Sequence, residues 1–181
     1  MASDDAPQME EAAVKLIRLA PCLLAMLLPA PAAAADPAGV AVADIVAAMQ
    51  DYGVRAKLGE DDLGDPQIDS ALAGANFQVR FYDCKQARCA SLQFLSGFDL
   101  EEEMSLEDVN DWNRTMRYGS VYLDDEGDPY LQMDVDVTRG ISKEQFAEWM
   151  AVWEEVLGRF RERIDAPAEA DAPENAPMRS S

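Results

Sequence analysis

Apolar and polar positions along the chain change period several times, and each change marks an element. Over residues 40–52, Val42, Ile45, Val46 and Met49 recur at helical spacing, with Gly53 as the stop. Short strand-like runs follow at 54–58 and 67–72. The alternating Phe77, Val79 and Phe81 make a third, and 90–95 a fourth, with Leu92 and Phe94 on one side. Ser105 opens a second helix as N-cap, with Leu106, Val109, Trp112 and Met116 as its apolar stripe. Val121 and Leu123 serve a further strand. In the next, Leu131, Met133, Val135 and Val137 alternate with Gln132, Asp134 and Asp136, a half-buried strand with a solvated acidic face. Gly140 breaks it, and Ser142 with Gln145 forms a capping box for a long last helix. That helix presents Phe146, Trp149, Met150, Trp153, Val156 or Leu157, Phe160 and Ile164 to a core. The order helix, strands, helix, two strands, helix predicts an α+β fold with helices packed on an antiparallel sheet.

The two ends follow different rules. Lys15 and Arg18 precede an apolar segment at 19–28, then a Pro/Ala run at 29–35 ending before Asp36. This is the order of a secretory signal peptide, with cleavage between Ala35 and Asp36. A membrane span needs about 20 apolar residues, and this segment is short, contains Pro21 and is followed at once by Pro29. Cys22 follows Pro21, where a lipoprotein signal needs a small residue. The acidic leader before Lys15 is unusual ahead of such a segment, so Met9 stands beside Met1 as the start. Residues 166–181, rich in Ala, Pro, Asp and Glu, cannot bury enough surface to offset ordering. The expected organisation is a signal peptide at 1–35, one domain at 36–165 and a disordered acidic tail at 166–181. The expected location is periplasmic or secreted, with no membrane insertion after cleavage.

Charge narrows the function. With 35 acidic and 15 basic residues the chain carries -20, which disfavours nucleic acid and anionic lipid, both of which need Lys and Arg at the contact. Histidine is absent, removing the commonest general base and zinc ligand. No nucleophile elbow, phosphate loop or dinucleotide fingerprint occurs, so the chain is read as a non-enzyme without a cofactor. In an exported chain, Cys84 and Cys89 read as a disulfide pinning a hairpin, worth roughly 2 kcal/mol for so short a loop. A redox pair is the weaker reading, since the spacing is not C-x-x-C. One sequence echo, D-D-x-G-D-P at 61–66 and 124–129, reads as one hairpin turn used twice. Its alternative is a carboxylate calcium site, although neither copy matches the EF-hand spacing. The other acids, dense at 99–103, read as solvated surface.

The ordered set G-D-P-Gln67-Ile68, then 77–84 with Cys84, 89–94 from Cys89, Val109-Asn110-Asp111-Trp112-Asn113-Arg114 and Tyr122-Leu123-Asp124 resembles the YbjN-domain proteins of bacteria over roughly residues 42–160. The resemblance implies a fold similar to type III secretion chaperones and a sensory-transduction regulatory role, and brings no catalytic residues. Of its motif residues, Trp112 falls on the buried stripe, and Asn110 and Asn113 read as partners for backbone that the sheet leaves unpaired. The leading expectation is a periplasmic binding or regulatory module acting on a protein partner in the cell envelope, with a homodimer open to it by analogy with secretion chaperones. The alternative is a carboxylate-based calcium or small-ligand site with an enzymatic activity.

Overall fold

The computed structural model describes residues 38–165. The cleavage site at Ala35 and Asp36 and the tail at 166–181 lie outside the described residues.

The chain opens with a two-residue strand, β1 (Val40–Ala41), paired antiparallel with β5 (Arg88–Cys89). Helix α1 (Val42–Tyr52) therefore starts two residues later than the 40–52 pattern predicts, because Val40 and Ala41 are taken up by that pairing. Gly39, at φ +84°, makes the approach workable: a Cβ there would lie 2.5 Å from the Cys89 carbonyl oxygen. Gly53 ends α1 in the left-handed conformation, and the Val54 N–H donates back to the Met49 carbonyl. Val54 thus belongs to the helix end, so β2 (Lys57–Glu60) begins later than the expected 54–58.

Strands β2, β3 (Pro66–Leu72), β4 (Ala75–Tyr82), β6 (Ser91–Gly97), β7 (Ser120–Leu123) and β8 (Pro129–Asp136) form one antiparallel sheet in the order β2-β3-β4-β6-β8-β7. The α+β expectation holds. Period two sets one sheet face: Ile68, Phe77, Val79, Phe81, Leu92, Phe94, Val121, Leu131, Met133 and Val135 are all buried. Against them α3 (Lys143–Asp165) lays Phe146, Met150, Trp153, Val156, Leu157 and Phe160. The Trp153 ring sits 5.6 Å from Phe94 and 5.9 Å from Phe77. The expected capping box is present, with Ser142 Oγ accepting from the Gln145 N–H and Gln145 Oε1 accepting from the Ser142 N–H.

Helix α2 (Leu106–Thr115) is capped by Ser105, whose Oγ accepts from the Asp108 N–H. Leu106 departs from the expected stripe and is 77% exposed. As the first helical residue its side chain leans back toward the N-terminus, past the surface that Val109 and Trp112 cover.

One tie between helices reports on pH. The Tyr52 hydroxyl in α1 donates to Glu154 Oε2 in α3 at 2.8 Å. Burial first, and the bond to the Glu154 carboxylate second, push its pKa up to about 12 from 10.0. A phenol whose folded pKa is raised contributes stability that is whole below pH 10 and is lost as pH rises through the folded value. Melting temperature should therefore fall more steeply between about pH 10 and 12 in the native chain than in Tyr52→Phe, and identical slopes would refute the assignment.

Candidate functional site

Trp112, Asn113, Cys84 and Cys89 take structural posts, whereas Asn110, expected to bond to backbone, makes no side-chain hydrogen bond among the described residues. Trp112 is 6% exposed, donates from Nε1 to the Gly119 carbonyl at 3.1 Å and meets Phe160 edge-on at 5.0 Å. Asn113 reaches the outer edge of β7: its Nδ2 donates to the Val121 carbonyl at 3.0 Å, and its Oδ1 accepts from the Val121 N–H at 2.8 Å. An amide side chain here stands in for a missing neighbouring strand. Asn110 is exposed and lines a shallow hollow with Asp108, Asp111 and Arg163. Cys84 and Cys89 lie with their sulfurs 2.10 Å apart, closing the loop that carries β5. Arg88 from that loop donates to the Gly39 carbonyl at 2.6 Å, so the closed loop also holds the start of the domain.

The two D-D-x-G-D-P copies are the connections β2–β3 and β7–β8. They share a geometry: Asp61 Oδ1 accepts from the Leu63 and Asp65 N–H groups, and Asp124 Oδ1 accepts from the Glu126 and Asp128 N–H groups. In each copy the leading carboxylate binds its own loop. Among the described residues, no group of three or more His, Cys, Asp or Glu side chains converges as metal ligands would.

Among the described residues the helices pack on one face of the sheet and leave the other open. Strand register arranges the open face in rows. One runs Lys57, Asp69, Gln78, Leu95, Gln132, Ser120; the next runs Gln67, Arg80, Gln93, Asp134; a third brings Gly97, Tyr130 and Tyr122 together. Hydrogen bonds knit the rows into a lattice. Arg80 Nη2 donates to Gln78 Oε1 at 3.0 Å, Gln93 Nε2 to Asp134 Oδ1 at 3.1 Å and the Tyr82 hydroxyl to Gln93 Oε1 at 3.2 Å. Leu95, though on this face, is only 3% exposed, closed over by its long-chain neighbours. The Tyr130 ring lies across Gly97, where a Cβ would come within 2.7 Å of it, and stacks on Tyr122 at 5.3 Å and 13°.

Beside these rings the face dips into a concavity of about 760 Å³, lined among others by Arg55, Lys57, Gln78, Arg80, Asp128 and Tyr130. Burial raises the Tyr122 phenol pKa, while the Arg80 charge pulls against it. Arg80 Nε is buried without an acceptor among the described residues. The face thus offers aromatic area, amides able to donate and accept, and a guanidinium. The alternation of β4 and β6 predicts only a buried apolar side, and that of β8 predicts in addition a solvated acidic one. The intervening Gln78, Arg80, Tyr82, Gln93, Tyr130 and Gln132 carry the signal that finds this surface.

A family model for YbjN, described as "Putative bacterial sensory transduction regulator", matches residues 41–166. Among solved structures, the crystal structure of YbjN from E. coli, described as "a putative transcription regulator", aligns with a TM-score of 0.51 at 16% identity, covering 66% of this chain and 87% of that one. At that identity the likeness concerns the fold. No curated protein sequence matches this one.

Proposed function

We propose, from the premise that this chain belongs to the YbjN family, that it is an exported, non-catalytic regulatory module that seats a protein partner from the cell envelope on the open face of its sheet. The observation that supports the reading is the gathering of Tyr122, Tyr130 and Arg80 in the rows on either side of buried Leu95, with Tyr82 further along the same face, on an otherwise acidic chain. Tyrosine and arginine are enriched at interface centres, where Lys, Asp and Glu are depleted. Stacked phenol rings present large area with few rotors to freeze, and a ready lattice of amides accepts a partner's polar groups without rearrangement. Export is supported by the leader pattern before Asp36 and by a cysteine pair suited to an oxidising compartment.

Crosslinked affinity capture from the organism's own envelope fraction tests this. The native chain should enrich a reproducible partner, and Tyr122→Ala with Tyr130→Ala should lower that enrichment about tenfold or more. Both rings are at least partly exposed, so the double variant should melt close to the native chain. Capture no better than a scrambled-sequence control, or undiminished capture by the folded double variant, would sink the reading.

A further inference from the structure

The sheet treats its two edges differently, and the sequence echo makes the comparison exact in register. Leu58 stands three residues before Asp61 as Val121 stands three before Asp124, and Leu58 pairs with Ile68 as Val121 pairs with Leu131. In both hairpins the leading Asp N–H points inward, bonded to the carbonyl of the Asp four residues on, at 2.8 Å and 3.0 Å. Backbone direction alternates along an antiparallel strand. Leu58 and Val121 therefore both turn N–H and C=O outward, away from the sheet. At Val121 the pair is met by Asn113. At Leu58 no side chain among the described residues meets it, and all four residues of β2 are exposed.

An uncovered edge is a template for another strand, and the sequence around this one says which. Residues 55–62 read Arg-Ala-Lys-Leu-Gly-Glu-Asp-Asp, basic in the first half and acidic in the second. Turned through a two-fold axis, such a strip meets its own complement. Leu58, 54% exposed, supplies an apolar centre.

We infer that β2 is a self-association edge, pairing antiparallel with β2 of a second copy so that Leu58 faces Leu58 and the two sheets run on as one. In this register the outward N–H and C=O groups of Leu58 meet their own equivalents, and those of Ala56 meet Glu60 of the other copy. Arg55 faces Asp61 across the join, with Lys57 on the adjoining diagonal. A two-fold axis makes the contact isologous and closed, so it stops at the dimer instead of growing a fibre. The edge is short, so association is weak and concentration-dependent. It is separate from the tyrosines of the open face and stands or falls apart from the partner reading.

Sedimentation velocity on the chain as its own cell processes it, up to about 1 mM, tests the inference with two opposed substitutions. The native chain should shift from monomer to dimer with rising concentration. Leu58→Lys and Leu58→Glu, each placing like charges face to face, should remain monomeric. Mixed in equal amounts they should regain the dimer, since Lys then faces Glu, and that restoration also certifies that both variants are folded. A native chain that stays monomeric throughout, a dimer undiminished in either variant, or a mixture that stays monomeric overturns the inference.

Discussion

Trp112→Ala is expected to destabilise the domain by about 3–5 kcal/mol, the range for removing a large aromatic from a core, and to lower its melting temperature on the order of 10–20 °C. Two losses coincide, and the backbone around them cannot relax to relieve either. The ring is nearly fully buried and packs edge-on against Phe160, itself at the end of the row that α3 presents to the sheet. Its Nε1–H satisfies the Gly119 carbonyl at 3.1 Å, and that carbonyl loses its partner when the indole goes. Gly119 cannot adjust freely. It sits at φ +75° with Val156 pressed against the space where a Cβ would go. The turn into β7 thus rests on the tryptophan from one side and on α3 from the other. Urea unfolding followed by Trp fluorescence measures the effect. A loss below about 1 kcal/mol would mean that the pocket collapses around the missing ring, contrary to the close packing that makes such cavities costly. Tyr122→Ala is the natural contrast, since that ring is 41% exposed and lies on the uncovered face. A buried tryptophan that holds the fold and an exposed tyrosine that leaves it intact, both from the ordered set that carries the family resemblance, would separate structural from interaction residues.

That contrast also marks how far the sequence could be read. The apolar half of each alternation found the sheet, because burial of Phe77, Val79 and Phe81 on one side leaves little freedom in how β4 lies. The capping box at Ser142 and the left-handed stop at Gly53 were legible for a related reason: local chemistry at a helix end has few solutions. Strand starts were less legible. Val54 looks like strand by propensity and is claimed by the Schellman bond to Met49, a three-dimensional preference that a propensity scale does not contain. The open face was hardest, since Gln78, Arg80 and Tyr82 read singly as solvated polar positions. They become a surface only when register sets them beside Gln93, Tyr130 and Gln132. The β1–β5 pairing needed still more, a contact between residues near 40 and 89 that only the closed Cys84–Cys89 loop brings to hand.

Asn113→Ala is expected to cost about 2–4 kcal/mol, more than most exposed asparagines, because its two bonds serve a buried residue. Val121 is 4% exposed, and its outward N–H and C=O have Asn113 as their partner. Alanine leaves one donor and one acceptor stranded at the sheet edge, each carrying a desolvation penalty of about 1–3 kcal/mol unless water enters. Asn113→Asp separates the two halves. A carboxylate keeps the acceptor for the Val121 N–H but sets a negative oxygen beside the Val121 carbonyl, so it should rescue little at neutral pH. In acid, protonation restores a donor, and the gap between Asp and Asn variants should narrow as pH falls through the carboxylate range. Denaturant unfolding of the three chains at pH 7 and pH 4 measures this. Equal stabilities of Asn and Ala would show that water satisfies the β7 edge as well as the amide does. A second consequence concerns association. Once stripped of its amide cover, β7 presents the same uncovered backbone that β2 presents at Leu58, and an edge with nothing over it pairs with whatever strand arrives. The Asn113→Ala chain should therefore gain higher oligomers at concentrations where the native chain stops at a closed pair, since two open edges per molecule permit a row of sheets where one permits only a dimer.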